Sequence, residues 1–235
     1  MGSIDWKRAK TCPVAECRPA SICTWNVWLL YVMSTAVWKQ MHDSFLKRAK
    51  EGKLDLLFLG DSITQGWGNN AVWQKHYVPL NAANFGIGGD TTQNVLWRIL
   101  NGELEGVAPR AVVLMIGTNN FGLHGDAPDA VVRGNAAILK TLRAKLPKAK
   151  ILLLGLFPRD EKAATDFRSR IQKTNAGLAK LADGKSVVFM DIGAKFLQPD
   201  GSLSKEIMPD FLHLSEKGYQ IWADAIDPAV KGLMK

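Results

Sequence analysis

The chain has 235 residues, enough for one α/β domain with a sizeable core and too few for two domains of ordinary size joined by a linker. With 47% hydrophobic and 22% charged residues it has the composition of a folded globular protein, which excludes a disordered or fibrous chain. Its formal charge of +8 invites a nucleic-acid reading, but the basic residues are scattered and none of their runs alternates with aromatics, so no nucleic-acid partner is expected.

All three cysteines, Cys12, Cys17 and Cys23, precede Val37, which leaves the body without a thiol for a disulfide or a thiolate metal site. Their C-x4-C-x5-C spacing matches no zinc pattern and has no histidines nearby. The stretch from Pro19 to Trp38 is uncharged and follows Lys7, Arg8, Lys10 and Arg18. With an apolar run over Val27 to Met33 and Ser34-Thr35-Ala36 as a small-x-small site, these are the parts of an export signal. Thr24 and Asn26 break the apolar run, and Pro13 and Pro19 interrupt what precedes it. Residues 1–36 are therefore open to three readings: a cleaved signal, a retained anchor about 20 residues long, or a non-native leader. The first places the protein in the periplasm or outside the cell, the second adds membrane contact, and without either the protein is cytoplasmic. The catalytic domain is assigned to residues 37–235.

In chain order, Val37 to Lys50 has apolar residues at Val37, Met41, Phe45 and Leu46 with charges between them, which predicts an amphipathic helix ended by Gly52. Leu54 to Leu59 is a short apolar run closed by Gly60, as expected of a buried strand. Further strands are expected at Asn81 to Phe85, Ala111 to Ile116, Ile151 to Leu154 and Val187 to Met190. Between and after them, helical spacing marks Thr92 to Leu100, Ala127 to Leu146, Ala163 to Ala182 and Ser215 to Met234. Five alternations of strand and helix imply a three-layer α/β/α sandwich around a five-stranded parallel sheet, flavodoxin-like, because each parallel connection needs a crossover. In such a sheet the ligand lies beyond the carboxyl ends of the strands.

Residues just after each strand are therefore the candidates for chemistry. Ser62 follows the first strand in Gly60-Asp61-Ser62-Ile63-Thr64, near a helix start where backbone N–H groups point outward; standing alone it would as readily be an N-cap. After the second strand, Gly86-Ile87-Gly88-Gly89-Asp90-Thr91-Thr92 lets the backbone approach a ligand, without the Lys and Ser/Thr order of a phosphate loop. After the third, Gly117-Thr118-Asn119-Asn120 offers an amide donor for a developing oxyanion, or simply a turn residue. Before the last helix, Asp210 and His213 are spaced so that a carboxylate can orient an imidazole toward a serine. Each signal is weak alone. Their coincidence at four successive site positions, supplying nucleophile, base, orienting acid and oxyanion donors, points to a serine hydrolase. His124 is the rival base, with Asp126 as its one local carboxylate.

These blocks resemble the signature segments of the SGNH (GDSL) hydrolases: GDSITQGWG from Gly60, with Thr64, Gly66 and Gly68, then Gly89, Asn119 and the Asp210/His213 pair. Within that family Asn84 to Thr92, Val95 to Leu104, Gly117 to Asn120 and Asp210 to Leu214 look like the catalytic α subunits of platelet-activating-factor acetylhydrolase and their bacterial esterase relatives. The resemblance runs from about Ala36 to the C-terminus. It implies Ser62 as nucleophile, His213 as base and Asp210 as its partner, with an oxyanion hole of the Ser62 and Gly89 N–H groups and the Asn119 amide. It also implies a short acyl pocket beside Ile63, Thr118 and Leu212, and it allows a homodimer. Trp67, with Trp73 and Phe121, is expected near the mouth, either stacking on substrate or packed as ordinary core. The expected chemistry is hydrolysis of short-chain, acetyl-type esters through an acyl-enzyme, with a small-molecule ester as substrate and neither metal nor cofactor. A carbohydrate O-acetylesterase and a catalytically silent binding protein of the same fold are the alternatives.

Overall fold

The structure, a computed structural model, describes residues 35–68 and 70–235, so the three readings of the leader lie outside the described residues except at its last two positions. Helix α1 (Ala36–Lys50) starts one residue before the expected boundary because the Thr35 hydroxyl accepts from the Trp38 N–H at 3.2 Å and caps it. There follow β1 (Leu56–Gly60), α2 (Ser62–Gln65), α3 (Ala71–His76), β2 (Ala82–Gly86), α4 (Thr92–Leu100), β3 (Ala111–Met115), α5 (Thr118–His124), α6 (Pro128–Lys145), β4 (Lys150–Leu154), α7 (Asp166–Ala179), β5 (Val187–Met190) and α8 (Glu216–Leu233). All five strands are parallel, in the order β2-β1-β3-β4-β5, and Leu57 pairs with Ala83 on one side and Val112 on the other.

The sheet alternates its side chains between two cores, as the two-residue period of a strand requires. Leu56 and Phe58 of β1 face Trp67, Trp73, Tyr77 and Trp222, against which α3 and α8 pack. Leu57 and Leu59 face the other way, onto Val95, Ile99, Ile138 and Leu142 of α4 and α6. The expected fold class is thereby shown. The short helices α3 and α5 were not expected, being too brief to display a period; α3 is started by Asn70, whose side chain accepts from Val72 N–H at 2.8 Å. Helix α7 begins at Asp166 and not Ala163 because Thr165 caps it through Arg168 N–H. Gly86 shows what brings the first two strand ends together: a Cβ there would collide with the backbone of Gln65, so only glycine lets α2 lie directly on the sheet.

Candidate active site

Ser62 is the first residue of α2. Asp61 caps that helix by accepting from Ile63 N–H at 3.0 Å, and the Tyr219 hydroxyl of α8 donates to Ile63 O at 2.7 Å, so the serine stands on a turn held from both sides. Burial pushes the Asp61 carboxyl up to about 6, against the opposing pull of Ile63 N–H and His213. Ser62 Oγ lies 2.9 Å from His213 Nε2, and His213 Nδ1 lies 2.6 Å from Asp210 Oδ2. The second carboxylate oxygen of Asp210 accepts from Leu212 N–H at 3.1 Å and His213 N–H at 2.7 Å. Burial raises Asp210, but its hydrogen bonds from the His213 side chain and these two N–H groups outweigh that and hold it below its ordinary value. The turn between them is tight enough to force Phe211 to φ 59°, a conformation rare for a bulky side chain and found where function overdetermines the backbone. The dyad faces solvent, with the side chains of His213 and Asp210 44% and 56% exposed.

Opposite it lies the loop after β2. Gly88 N–H donates to Gln65 Oε1 at 2.7 Å, and Gly89 follows at φ 81°, a region glycine enters freely. The Asn119 amide, in the first turn of α5, donates to Asp90 O at 2.9 Å, which fixes its orientation at the same strand ends. Behind Asp90 sits a closed charge cluster. Asp90 accepts from Trp38 Nε1 at 2.8 Å and pairs with Arg98 Nε at 2.8 Å; Arg98 Nη1 pairs with Glu103 at 2.7 Å; His42 Nδ1 lies 2.9 Å from the same carboxylate. Asp90, Arg98 and Glu103 are 0% exposed. Burial pushes the Asp90 carboxyl up to about 7 in spite of Arg98. Burial alone would lower Arg98, but Glu103 and Asp90 hold it above its ordinary value.

A nucleophile, a base and an orienting carboxylate in series, beside a glycine turn and an aimed amide, can carry acyl transfer. Comparison with known proteins agrees with that chemistry. The profile of the GDSL-like Lipase/Acylhydrolase family matches residues 58–221. The chain belongs to that family. It is therefore a carboxylic ester hydrolase by class, acting on a small-molecule ester. It is 41% identical over 186 residues to the platelet-activating factor acetylhydrolase IB subunit alpha2 of Homo sapiens, covering 77% of this chain and 78% of that protein. To the human alpha1 subunit it is 38% identical over 182 residues, with coverage of 77% and 78%. Among solved structures it is similar to a GDSL-like lipase from Bacteroides thetaiotaomicron, with a TM-score of 0.67 and 22% identity over 83% of this chain and 97% of that one, a likeness of fold.

Within this GDSL-type frame the structure brings together Ser62, His213 and Asp210, and it joins the Asn119 amide to Asp90, the residue after Gly89. It corrects one expectation: Trp67 is 0% exposed and packs against Phe58, Tyr77, Tyr219 and Trp222, so it belongs to the core and offers no face to a substrate. Trp73 and Phe121 are buried as well. Ile63 and Thr118 are nearly closed off, whereas Leu212 stays half-buried beside His213. His124 ends α5, and the imidazole that meets Ser62 is that of His213. Two features escaped the sequence reading. Gln65 takes up the Gly88 N–H, and only the fold brings them together. Arg98 did carry a signal: a charge three residues after Val95 and one before Ile99 on the buried stripe of α4 is expensive unless paired.

Proposed function

We propose that residues 37–235 form a serine esterase that hydrolyses short-chain, acetyl-type esters through an acyl-enzyme. The observation that carries this reading is the series Ser62 Oγ to His213 Nε2 at 2.9 Å and His213 Nδ1 to Asp210 Oδ2 at 2.6 Å. His213 takes the serine proton as Ser62 attacks the ester carbonyl, and it returns that proton to the departing alcohol. Asp210, tied down by two backbone N–H groups, keeps the imidazole in the tautomer that can accept from Ser62. The tetrahedral anion is met by the N–H groups of Ser62 and Gly89 and by the Asn119 amide; Gln65 supports this by occupying the Gly88 N–H, so that the turn presents Gly89. Water repeats the attack on the acyl-enzyme, and the mechanism calls for no cofactor. Short acyl specificity is supported by the bulky or branched residues that adjoin the triad and the oxyanion amide in sequence, Ile63, Thr118 and Leu212.

A panel of p-nitrophenyl esters from acetyl to palmitoyl, run with acetylated xylo-oligosaccharides and an acetylated phospholipid, tests the reading. Acetyl and butyryl esters should turn over and chains beyond about eight carbons should fail; faster cleavage of palmitoyl esters would overturn the short pocket. Ser62→Ala should lower the rate by about three orders of magnitude or more and abolish labelling by a fluorophosphonate, with the fold kept.

A further inference from the structure

Four of the five strand ends contribute to the site or its rim, and the loop after β4 has been given no task. It contains Arg159, whose guanidinium is unlike the other arginines that enter the protein. Arg98 is neutralised by two carboxylates. Arg168 donates to the carbonyls of Arg159, Asp160 and Gly201, and Arg170 donates to those of Gly125 and Asp126. Arg159 has a single acceptor, the Thr118 hydroxyl, at the long distance of 3.4 Å from Nη1. Its Nε is buried without an acceptor, and no carboxylate lies within ion-pair distance of it among the described residues.

A long side chain so poorly satisfied would normally swing into water, because a buried unpaired donor costs about 1–3 kcal/mol and more when charged. Arg159 is held in place instead. Its guanidinium lies over the Phe167 ring, 4.1 Å from the centroid, and its Nη1 fills the space that a side chain at position 122 would need, which Gly122 leaves open. The next residue, Asp160, takes a left-handed φ of 66° and donates its N–H to Phe211 O at 3.0 Å, so the β4 loop is stitched to the same strained turn that carries Asp210 and His213. Thr118, the one hydroxyl it reaches, adjoins Asn119. Burial lowers the pKa of Arg159 against the opposing charges of Asp160 first and then of Asp210 and Asp61. A half-buried cation stacked on Phe167 with donors to spare, bonded to the neighbour of Asn119 and beside the turn that carries Asp210 and His213, is arranged to receive an anion.

We propose that Arg159 binds an anionic oxygen group, a carboxylate or a phosphate, carried by the ester substrate close to its scissile bond. This deepens the esterase reading and rests on it. The planar fork of a guanidinium suits both groups, and a charge-assisted pair made in a partly dry site is the stronger kind of hydrogen bond. The anion can be borne by the acyl half or by the alcohol half of the ester.

Two pairs of substrates, each a neutral ester beside an anionic one, distinguish these sources: p-nitrophenyl acetate against p-nitrophenyl hydrogen succinate for the acyl side, and monoacetylglycerol against acetylglycerol phosphate for the alcohol side. The readout is the ratio of kcat/KM, anionic over neutral, within each pair. In one pair the ratio should exceed 1 in the wild type and fall about tenfold or more in Arg159→Met, with Arg159→Lys between them, since a point charge keeps attraction and loses the fork. Inorganic phosphate should inhibit p-nitrophenyl acetate hydrolysis competitively in the wild type and much less in Arg159→Met, compared at equal ionic strength. Equal ratios in wild type and variant for both pairs overturn the proposal, as does a wild type that prefers the neutral ester in both. If Arg159→Met does not fold, the Lys variant and phosphate inhibition of the wild type decide in the same way. Failure of the esterase reading looks different: Ser62 would not label with fluorophosphonate and no ester in either pair would be cleaved.

Discussion

Two clusters of charge lie at neighbouring strand ends and are built on opposite terms. Asp210 and His213 are about half exposed, come from one four-residue turn, and bond mainly to each other and to the backbone of that turn. Asp90, Arg98, Glu103 and His42 are buried, come from α1 and from the stretch that runs from Asp90 through α4 to Glu103, and close on one another. The exposed pair stands where an imidazole can reach Ser62 from solvent, and in the proposed mechanism it is the pair that moves the proton. The buried cluster is too enclosed to take part in chemistry, yet through the Asp90 carbonyl it sets where the Asn119 amide points. On the proposed mechanism one cluster acts and the other holds, and solvent access separates the two tasks.

The widest gap between them should be seen in Asp210→Asn. Loss of the orienting charge should cut kcat by about 10²–10⁴-fold while thermal unfolding moves little, since an exposed ion pair contributes about 0–1 kcal/mol. If the rate survived, the dyad would not be the acting cluster. Arg98→Leu should do the reverse in kind. It leaves two buried carboxylates without their cation, and urea unfolding should show a loss of about 3–5 kcal/mol, with activity falling because the Asn119 support is disturbed. A stable, fully active Arg98→Leu enzyme would mean that the cluster holds nothing.

Trp38→Phe gives a finer test, because it removes one hydrogen bond to Asp90 and keeps most of the ring packing against His42 and Trp97. A stability loss of about 1–3 kcal/mol is expected, with kcat reduced more than KM changes if the bond steadies the oxyanion side. The smallest effect concerns Asp61, which sits between the two clusters. Its folded-state carboxyl is raised from 3.8 to about 6, so the folded protein holds that proton more tightly than the unfolded chain does. The group's stabilising contribution is therefore present at low pH and is lost as pH rises through the interval between those values. Chemical denaturation at pH 4.5 and pH 7.5 should show this decline in the wild type and a shallower one in Asp61→Asn; equal slopes would place the Asp61 proton elsewhere.

Much of this was legible in the chain itself. The apolar runs of β1, β3 and β4 announced a parallel sheet because a strand buried on both faces has no alternation to hide, and the candidate site residues lay in short contiguous blocks, Gly60 to Thr64 and Pro209 to His213, whose chemistry depends on local spacing. Local pattern could not decide burial, and it placed Trp67 beside the mouth because the residue follows the serine block closely in sequence. Only the packing of α8 and α3 against β1 put that indole in the core. Partners far apart in sequence were equally out of reach: Gln65 with Gly88, Trp38 with Asp90 across 52 positions, and Arg159 against Thr118 across 41. Composition and spacing thus determined the fold class and singled out the side chains proposed to react, since both follow from local periodicity and turn geometry. The tertiary structure alone decided which charges are paired, which aromatic is buried and which arginine is left with donors to spare, because each depends on distances between segments that the chain brings together only by folding.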